Sequence, residues 1–291
     1  MRKYNVAFFG TPNFSIPFLN AIILGKDFEV KLVISEPDKK SGRNLKLTES
    51  PVAQFAKKNN ISVKKPTKLK DFNSILSSYS LDLVVVVAYG KIIPKNILDI
   101  PKFGAINIHP SNLPKYRGPA PIQSALLHNE KRTAISVMIM DELMDHGPIL
   151  AKKFIYINEN DDYFSLEEKI LKTGPKVLVE TIKKYLDHKI KPKEQNHTKA
   201  SYTRLIKKED GLIDWQKDSY KINNQIKAYC AWPKAYTILD GKRLIFIKSK
   251  LESGKLQPLL VQLEGKNKLN WKDFSKGYKK PLPVELTKKI I

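Results

Sequence analysis

"LDLVVVVAYG", residues 81–90, holds four consecutive valines with no polar partner in the alternate positions. A strand with one wet face alternates apolar and polar residues. An unbroken Val run bounded by Gly suits a central parallel strand covered on both faces. On either side the pattern alternates between strand and helix. "NVAFFG" reads as a first strand, "NFSIPFLNAIIL" as a helix opened by Asn13, and "EVKLVISE" as a second strand. "SPVAQFAKKN" reads as a helix capped by Ser50 with Pro51 at its first position. "DFNSILSSY" and "KIIPKNILDI" read as short helices around the Val strand. After them come "GAINIHP" as a strand, "PAPIQSALLHN" as a helix, and "AISVMIM" and "AKKFIYI" as strands. "SLEEKILKTGPKVLVETIKKYLDHK" is a long helical pattern, with Ser165 and Glu168 as its expected capping box. This alternation predicts an α/β fold, a doubly wound and mostly parallel sheet of Rossmann-like type.

The pattern breaks at residues 190–206, which begin with the polar stretch "IKPKEQNHTKA" and read as a linker. The chain is therefore expected to hold a first domain over 1–189 and a second over 207–291. The second reads as β-rich, with "AYTILDGKRLIFIKSKL" as a hairpin turning at Asp240-Gly241 and "LLVQLEG" as a further strand.

The charge balance is the informative part of the composition. Lys and Arg number 52 against 29 Asp and Glu, for a net charge of +23. From Lys207 to the end the ratio is 19 to 9, more than a proportional share of the excess. A polyanionic partner such as nucleic acid explains this, and so does a Lys-rich solvated surface. No apolar run approaches the ~20 residues that span a bilayer, so no membrane role is expected. The single cysteine, Cys230, leaves no internal disulfide and no Cys-based zinc site, which fits a cytoplasmic protein.

Several common chemistries lack their motifs. G-T-P-N-F-S follows the first strand where a dinucleotide site would carry G-x-G-x-x-G, and neither a P-loop nor a G-x-S-x-G elbow occurs. No His, Cys and carboxylate cluster has metal-ligand spacing, so no metal is expected.

What remains is the end of the "GAINIHP" strand. In open α/β sheets ligands bind at the carboxyl ends of the strands. Asn107 and His109, two residues apart, project to the same side of such an end. "MDELMDHGPIL", residues 140–150, leaves a later strand with carboxylates that could reach His109. Carboxylate beside imidazole fixes the ring's tautomer and favours its charged form. An Asn, His and Asp set without a Ser or Cys nucleophile suits direct transfer to a substrate's own amine. Taken alone, a capping Asn and a satisfied buried His remain the plainer explanation.

The two motifs together, "NIHPSNLPKYRGPAPIQ" and "MDELMDHGPIL", resemble the formyltransferases that use 10-formyltetrahydrofolate. Three further stretches resemble the branch acting on charged initiator tRNA: "FFGTPNFSIPFL", the basic loop "SEPDKKSGRNLKLTESPVAQFA" and residues 200–237. The resemblance implies transfer of a formyl group from 10-formyltetrahydrofolate to the α-amine of methionine on initiator tRNA. It places the catalytic set on Asn107, His109 and Asp145. His146, directly after Asp145, is a second candidate imidazole, and the spacing from Asn107 favours His109. Folate contacts fall on Tyr89, Gly90, Ser111, Asn112, Leu113 and Pro114. tRNA contacts fall on Lys39, Lys40, Arg43 and Lys46, with Arg43 at the acceptor end. The C-terminal region is expected to be a small oligonucleotide-binding β-barrel, shortened between its later strands. The protein is expected to act as a monomer. The alternatives are a formyltransferase acting on an amino-sugar nucleotide, and a non-enzymatic RNA-binding protein.

Overall fold

The valine run forms a strand whose five positions are all buried, Leu83–Val87. The computed structural model, which describes residues 3–41, 46–69, 72–278 and 288–290, sets this strand inside a seven-stranded sheet. Numbered along the chain, its strands are β1 (Tyr4–Gly10), β2 (Phe28–Ile34), β5 (Val63–Lys64), β6 (Leu83–Val87), β7 (Ala105–His109), β8 (Arg132–Ile139) and β9 (Ile149–Tyr156). A separate hairpin pairs β3 (Lys39–Ser41) with β4 (Lys46–Thr48). The sheet order is β5-β2-β1-β6-β7-β8-β9. From β5 to β7 every pairing is parallel, and β8 then runs antiparallel to β7. The mostly parallel, doubly wound sheet expected from the sequence is thus present.

The chain winds outward from β1 to β2 and β5, then returns to the other side of β1 with β6. The switch point lies at the carboxyl ends of β1 and β6. Ser15 locks that end by donating from Oγ to the Val87 carbonyl at 2.6 Å. The core on one side of the sheet gathers Phe9, Leu32, Ile34, Val84, Val86 and Ile97. Helix α1 (Pro51–Lys58) starts as expected, with Ser50 accepting from the Ala53 amide at 3.2 Å.

The helix α2 (Tyr163–Leu186) corrects one expectation. Its cap is a turn earlier than Ser165–Glu168. Asp162 Oδ1 accepts from the Ser165 amide at 3.0 Å, and Ser165 Oγ accepts from the Asp162 amide at 3.0 Å. Asp162 was available as a strong cap, so Ser165 became the reciprocal partner instead of the cap itself.

Contacts divide the chain into two units. One comprises Met1–Pro119, Ala134–Phe154 and Ile170–Tyr202, and the other Ala120–Thr133, Ile155–Lys169 and Thr203–Ile291. Within the stretch read as a linker, Lys193 bridges Ile149 in the first unit.

The second unit holds an antiparallel sheet in sequential order, β10 (Ala235–Leu239), β11 (Lys242–Glu252), β12 (Lys255–Leu263) and β13 (Lys268–Asn270). The Asp240-Gly241 hairpin is as expected, with φ of 48° and 71° at the two turn residues, the conformation of a type I′ turn. Helix α3 (Ser219–Tyr229) lends Ile222 and Ile226 to a core with Leu244, Phe246 and Val261. Trp215 and Trp271 flank the Phe246 ring with centroids at 5.5 and 6.3 Å. The small β domain is therefore a four-stranded meander among the described residues.

Candidate active site

Strand β7 is buried along its length, and its last turnward residues are the polar ones. Asn107 pairs with Val86 on one side and Met138 on the other, and His109 pairs with Ser136. Period 2 sends both side chains to one side of the sheet, where they meet Asp145. Asn107 Nδ2 donates to Asp145 Oδ1 at 3.3 Å. His109 Nδ1 lies 3.5 Å from Asp145 Oδ2. The three residues expected together from two motifs do converge.

The tautomer follows from the other ring nitrogen. His109 Nε2 lies 2.9 Å from the Tyr116 carbonyl, which only accepts, so Nε2 carries a proton. Nδ1 then faces the carboxylate, and its protonation creates an ion pair in a site where the imidazole is 6% and the carboxylate 14% exposed. Low solvent access strengthens such a pairing.

Asp145 sits on a tight turn after β8. Its φ is +51°, in the left-handed region that non-glycine residues seldom occupy. Two positions on, Gly147 has no room for a side chain: a Cβ there would lie 2.1 Å from the Ile139 carbonyl oxygen. His146 turns away from the set. Its Nδ1 bonds Asp141 Oδ2 at 2.6 Å, and its ring stacks on His197 at 4.1 Å. The geometry accordingly pairs His109, not His146, with Asp145.

The proline-rich loop after β7 is held at every step. The Leu113-Pro114 bond is cis, and Tyr116 and Gly118 have φ of 60° and 103°. Ser111 Oγ donates to the Lys115 carbonyl at 2.6 Å, and Ser136 Oγ donates to the Ser111 carbonyl at 2.7 Å. Leu113 is fully buried. Lys152 donates to the Leu113 carbonyl and reaches Asn112 Oδ1 at 3.4 Å, and burial pushes its ammonium pKa down.

Tyr89 and Gly90 follow β6 at the switch point. Tyr89 packs edge-on against Phe9 with centroids 5.1 Å apart. Its hydroxyl is buried without a hydrogen-bond partner among the described residues, and burial pushes its pKa up to about 12. Gly90 beside it takes a φ of 77°, in the left-handed region. Among the described residues no group of three or more His, Cys, Asp or Glu is arranged to hold a metal ion.

The basic loop is the β3–β4 hairpin. Lys40 and Lys46 are exposed on it, and Lys39 pairs with Glu36 at 2.7 Å. Arg43 lies outside the described residues. The hairpin's base is clasped by Lys65, which bonds Asp38 at 2.6 Å before it and Glu49 at 2.5 Å after it.

Sequence reasoning missed the outer partners of Asp145. The Gly118 amide donates to Asp145 Oδ2 at 2.7 Å. Gln195 Nε2 donates to the Asp145 and Gly147 carbonyls at 2.9 and 2.7 Å. Their one signal is compositional: Arg117 is a lone arginine in a proline-rich loop, and Gln195 sits in the polar run read as a linker.

The chain belongs to the formyl transferase family. That family's model matches residues 3–182, and the model of its C-terminal domain matches residues 205–258. The methionyl-tRNA formyltransferase of Caldicellulosiruptor saccharolyticus is 39% identical over 94% of this chain and 97% of its own length. The solved methionyl-tRNA formyltransferase from Clostridium thermocellum superposes with a TM-score of 0.58 at 19% identity, covering 89% of this chain and 98% of that one. The N-formyltransferase from Helicobacter canadensis, solved with folinic acid and dTDP-3-aminofucose, gives 0.64 at 22% identity, covering 88% and 90%. These last two likenesses establish the fold alone.

Proposed function

We propose that the protein transfers the formyl group of 10-formyltetrahydrofolate to the α-amine of methionine esterified to initiator tRNA, acting as a cytoplasmic monomer. The observation that carries this reading is the convergence of Asn107, His109 and Asp145 at the end of β7, in a chain that matches a methionyl-tRNA formyltransferase along 94% of its length. Tyr89, Gly90 and the Ser111–Pro114 stretch would hold the folate, which when bound supplies an activated formyl carbon. Asn107 Nδ2 has a second N–H to give to the formyl oxygen as negative charge develops on it, and the protonated His109 ring, held between Asp145 and the Tyr116 carbonyl, supplies positive charge beside it. Asp145 orients and charges the imidazole and takes up the amine's proton through water. Lys40, Lys46, Arg43 and the basic second unit contact tRNA phosphates, which gives affinity more than sequence choice. A split of labour between the N-terminal part and the C-terminal part, catalysis first and tRNA binding second, corresponds to the expected division into 1–189 and 207–291.

The test is an assay with 10-formyltetrahydrofolate and either charged initiator tRNA or an amino-sugar nucleotide. Formylmethionyl-tRNA as the product supports the proposal. Formylation of the sugar nucleotide alone, or of neither, overturns it.

A further inference from the structure

We propose that Arg117 and Gln195 are positioning residues for Asp145, an inference that rests on the formyl-transfer reading of the site. Asp145 occupies a left-handed backbone conformation, φ +51°. Such strain persists only where surrounding contacts over-determine it. Gln195 supplies them. Its one amide nitrogen bridges the carbonyls of Asp145 and Gly147, fixing the turn on both sides of residue 146. The orientation of that amide is forced. Carbonyls only accept, so Nε2 must face them, and Oε1 is left for Arg117 Nη2 at 2.8 Å, which only donates.

Arg117 is the common anchor. It is 1% exposed and Gln195 6%. Its Nη2 also donates to His197 Nδ1 at 2.9 Å, and Nη1 to the Tyr202 hydroxyl at 3.2 Å. Its own main-chain N–H donates to the Ser201 carbonyl at 2.8 Å. The next residue, Gly118, gives its amide to the Asp145 carboxylate. A closed ring results. Gly118 holds the carboxylate end of Asp145, Gln195 holds the backbone end, and Arg117 is joined to both. The bonds of Gln195 to the Asp145 turn, and of Gln195 to Arg117 beside Gly118, act on the reaction through the placement of Asp145. Misplacing a catalytic group by about 1 Å costs up to ~10²-fold in rate.

The test uses the full chain with Gln195→Glu and Gln195→Met. The first keeps an acceptor for Arg117 but faces both carbonyls with an oxygen. The second keeps the volume and removes both functions. Steady-state formylation of charged initiator tRNA should show kcat lower by roughly 10- to 100-fold, with KM for both substrates within about 2-fold. Added to Asp145→Asn, either substitution should cost nothing further, because residues acting as a unit are non-additive. A merely destabilised fold loses the same factor in both backgrounds, so the cycle decides the matter even where the melting temperature falls. Unchanged kcat, or equal losses with and without Asp145, overturns the positioning role while leaving the site intact. An inactive wild type overturns the reading of the site, and this proposal with it.

Discussion

The shortest hydrogen bond to the Asp145 carboxylate comes from the main-chain amide of Gly118, at 2.7 Å, while the ring of His109 stands 3.5 Å from the same oxygen. The carboxylate is therefore fixed by backbone before it meets the imidazole. Asp145→Asn should lower kcat by about 10²-fold or more, since an amide neither charges the imidazole nor accepts a proton. Binding of charged tRNA should be unchanged in a direct titration. Near-normal turnover in this variant would remove Asp145 from the mechanism.

Asn107 and His109 share one face of β7, and in the proposed reaction they stabilise the negative charge on the formyl oxygen. Loss of one such group typically costs ~10²–10³ in rate. Asn107→Ala and His109→Ala should each fall that far in single-turnover formylation, with tRNA affinity within about 2-fold. A variant that lost affinity and kept its rate would reassign the residue to binding.

The sheet was legible because its signals are local. A Val run, Ser50 before Pro51 and Asp240-Gly241 each decide their element within a few residues. Asn107 and His109 were legible for the same reason, since strand periodicity puts them side by side. Arg117 and Gln195 were not. Their pairing spans 78 positions and depends on a tertiary contact that no periodicity encodes. The helix cap lies at Asp162 because its carboxylate takes the Ser165 amide while Ser165 Oγ takes its own, a reciprocal pair that the expected Ser165–Glu168 box leaves out. His146 needed coordinates too: only the 2.6 Å bond to Asp141 reveals which way its ring turns.

Gly147 is the steric counterpart of the strained Asp145. A Cβ would lie 2.1 Å from the Ile139 carbonyl oxygen, a backbone atom with no flexible end to move. Gly147→Ala should destabilise the fold by about 1–3 kcal/mol, the range for overpacking, and shift the turn that carries Asp145. Thermal unfolding together with kcat checks both effects. A wild-type melting temperature with full activity would mean that the turn rearranges freely.

Asp210 offers a pH test in the second unit. Arg204 grips both its oxygens, at 2.6 and 2.7 Å, and the Lys207 amide adds a third bond. The Arg204 guanidinium first, then the Lys207 amide against opposing burial, holds the carboxyl down at about 2, against an ordinary 3.8. A depressed carboxyl adds stability above its unfolded pKa and loses it as pH falls through the folded one. Asp210→Asn should therefore melt below the wild type at pH 7, with the gap closing between about pH 4 and pH 2. The exposure of Arg204 lets salt narrow the gap as well. An equal offset at pH 7 and pH 2 would point to lost packing in place of charge.

The β3–β4 hairpin offers a test that separates affinity from chemistry. Lys40 and Lys46 project from it into solvent, and Lys65 clasps its base through Asp38 and Glu49. Each lysine that neutralises a phosphate releases condensed counterions, so log affinity falls linearly with log salt, at a slope near 0.9 per contact for duplex nucleic acid. Lys40→Ala and Lys46→Ala should each weaken binding of initiator tRNA and flatten that slope by about one unit. Saturating tRNA should restore kcat. Lys65→Met removes no phosphate contact but frees the hairpin, so it should raise KM for tRNA while leaving the salt slope unchanged. A slope that fell equally in all three variants would place Lys65 on the tRNA itself.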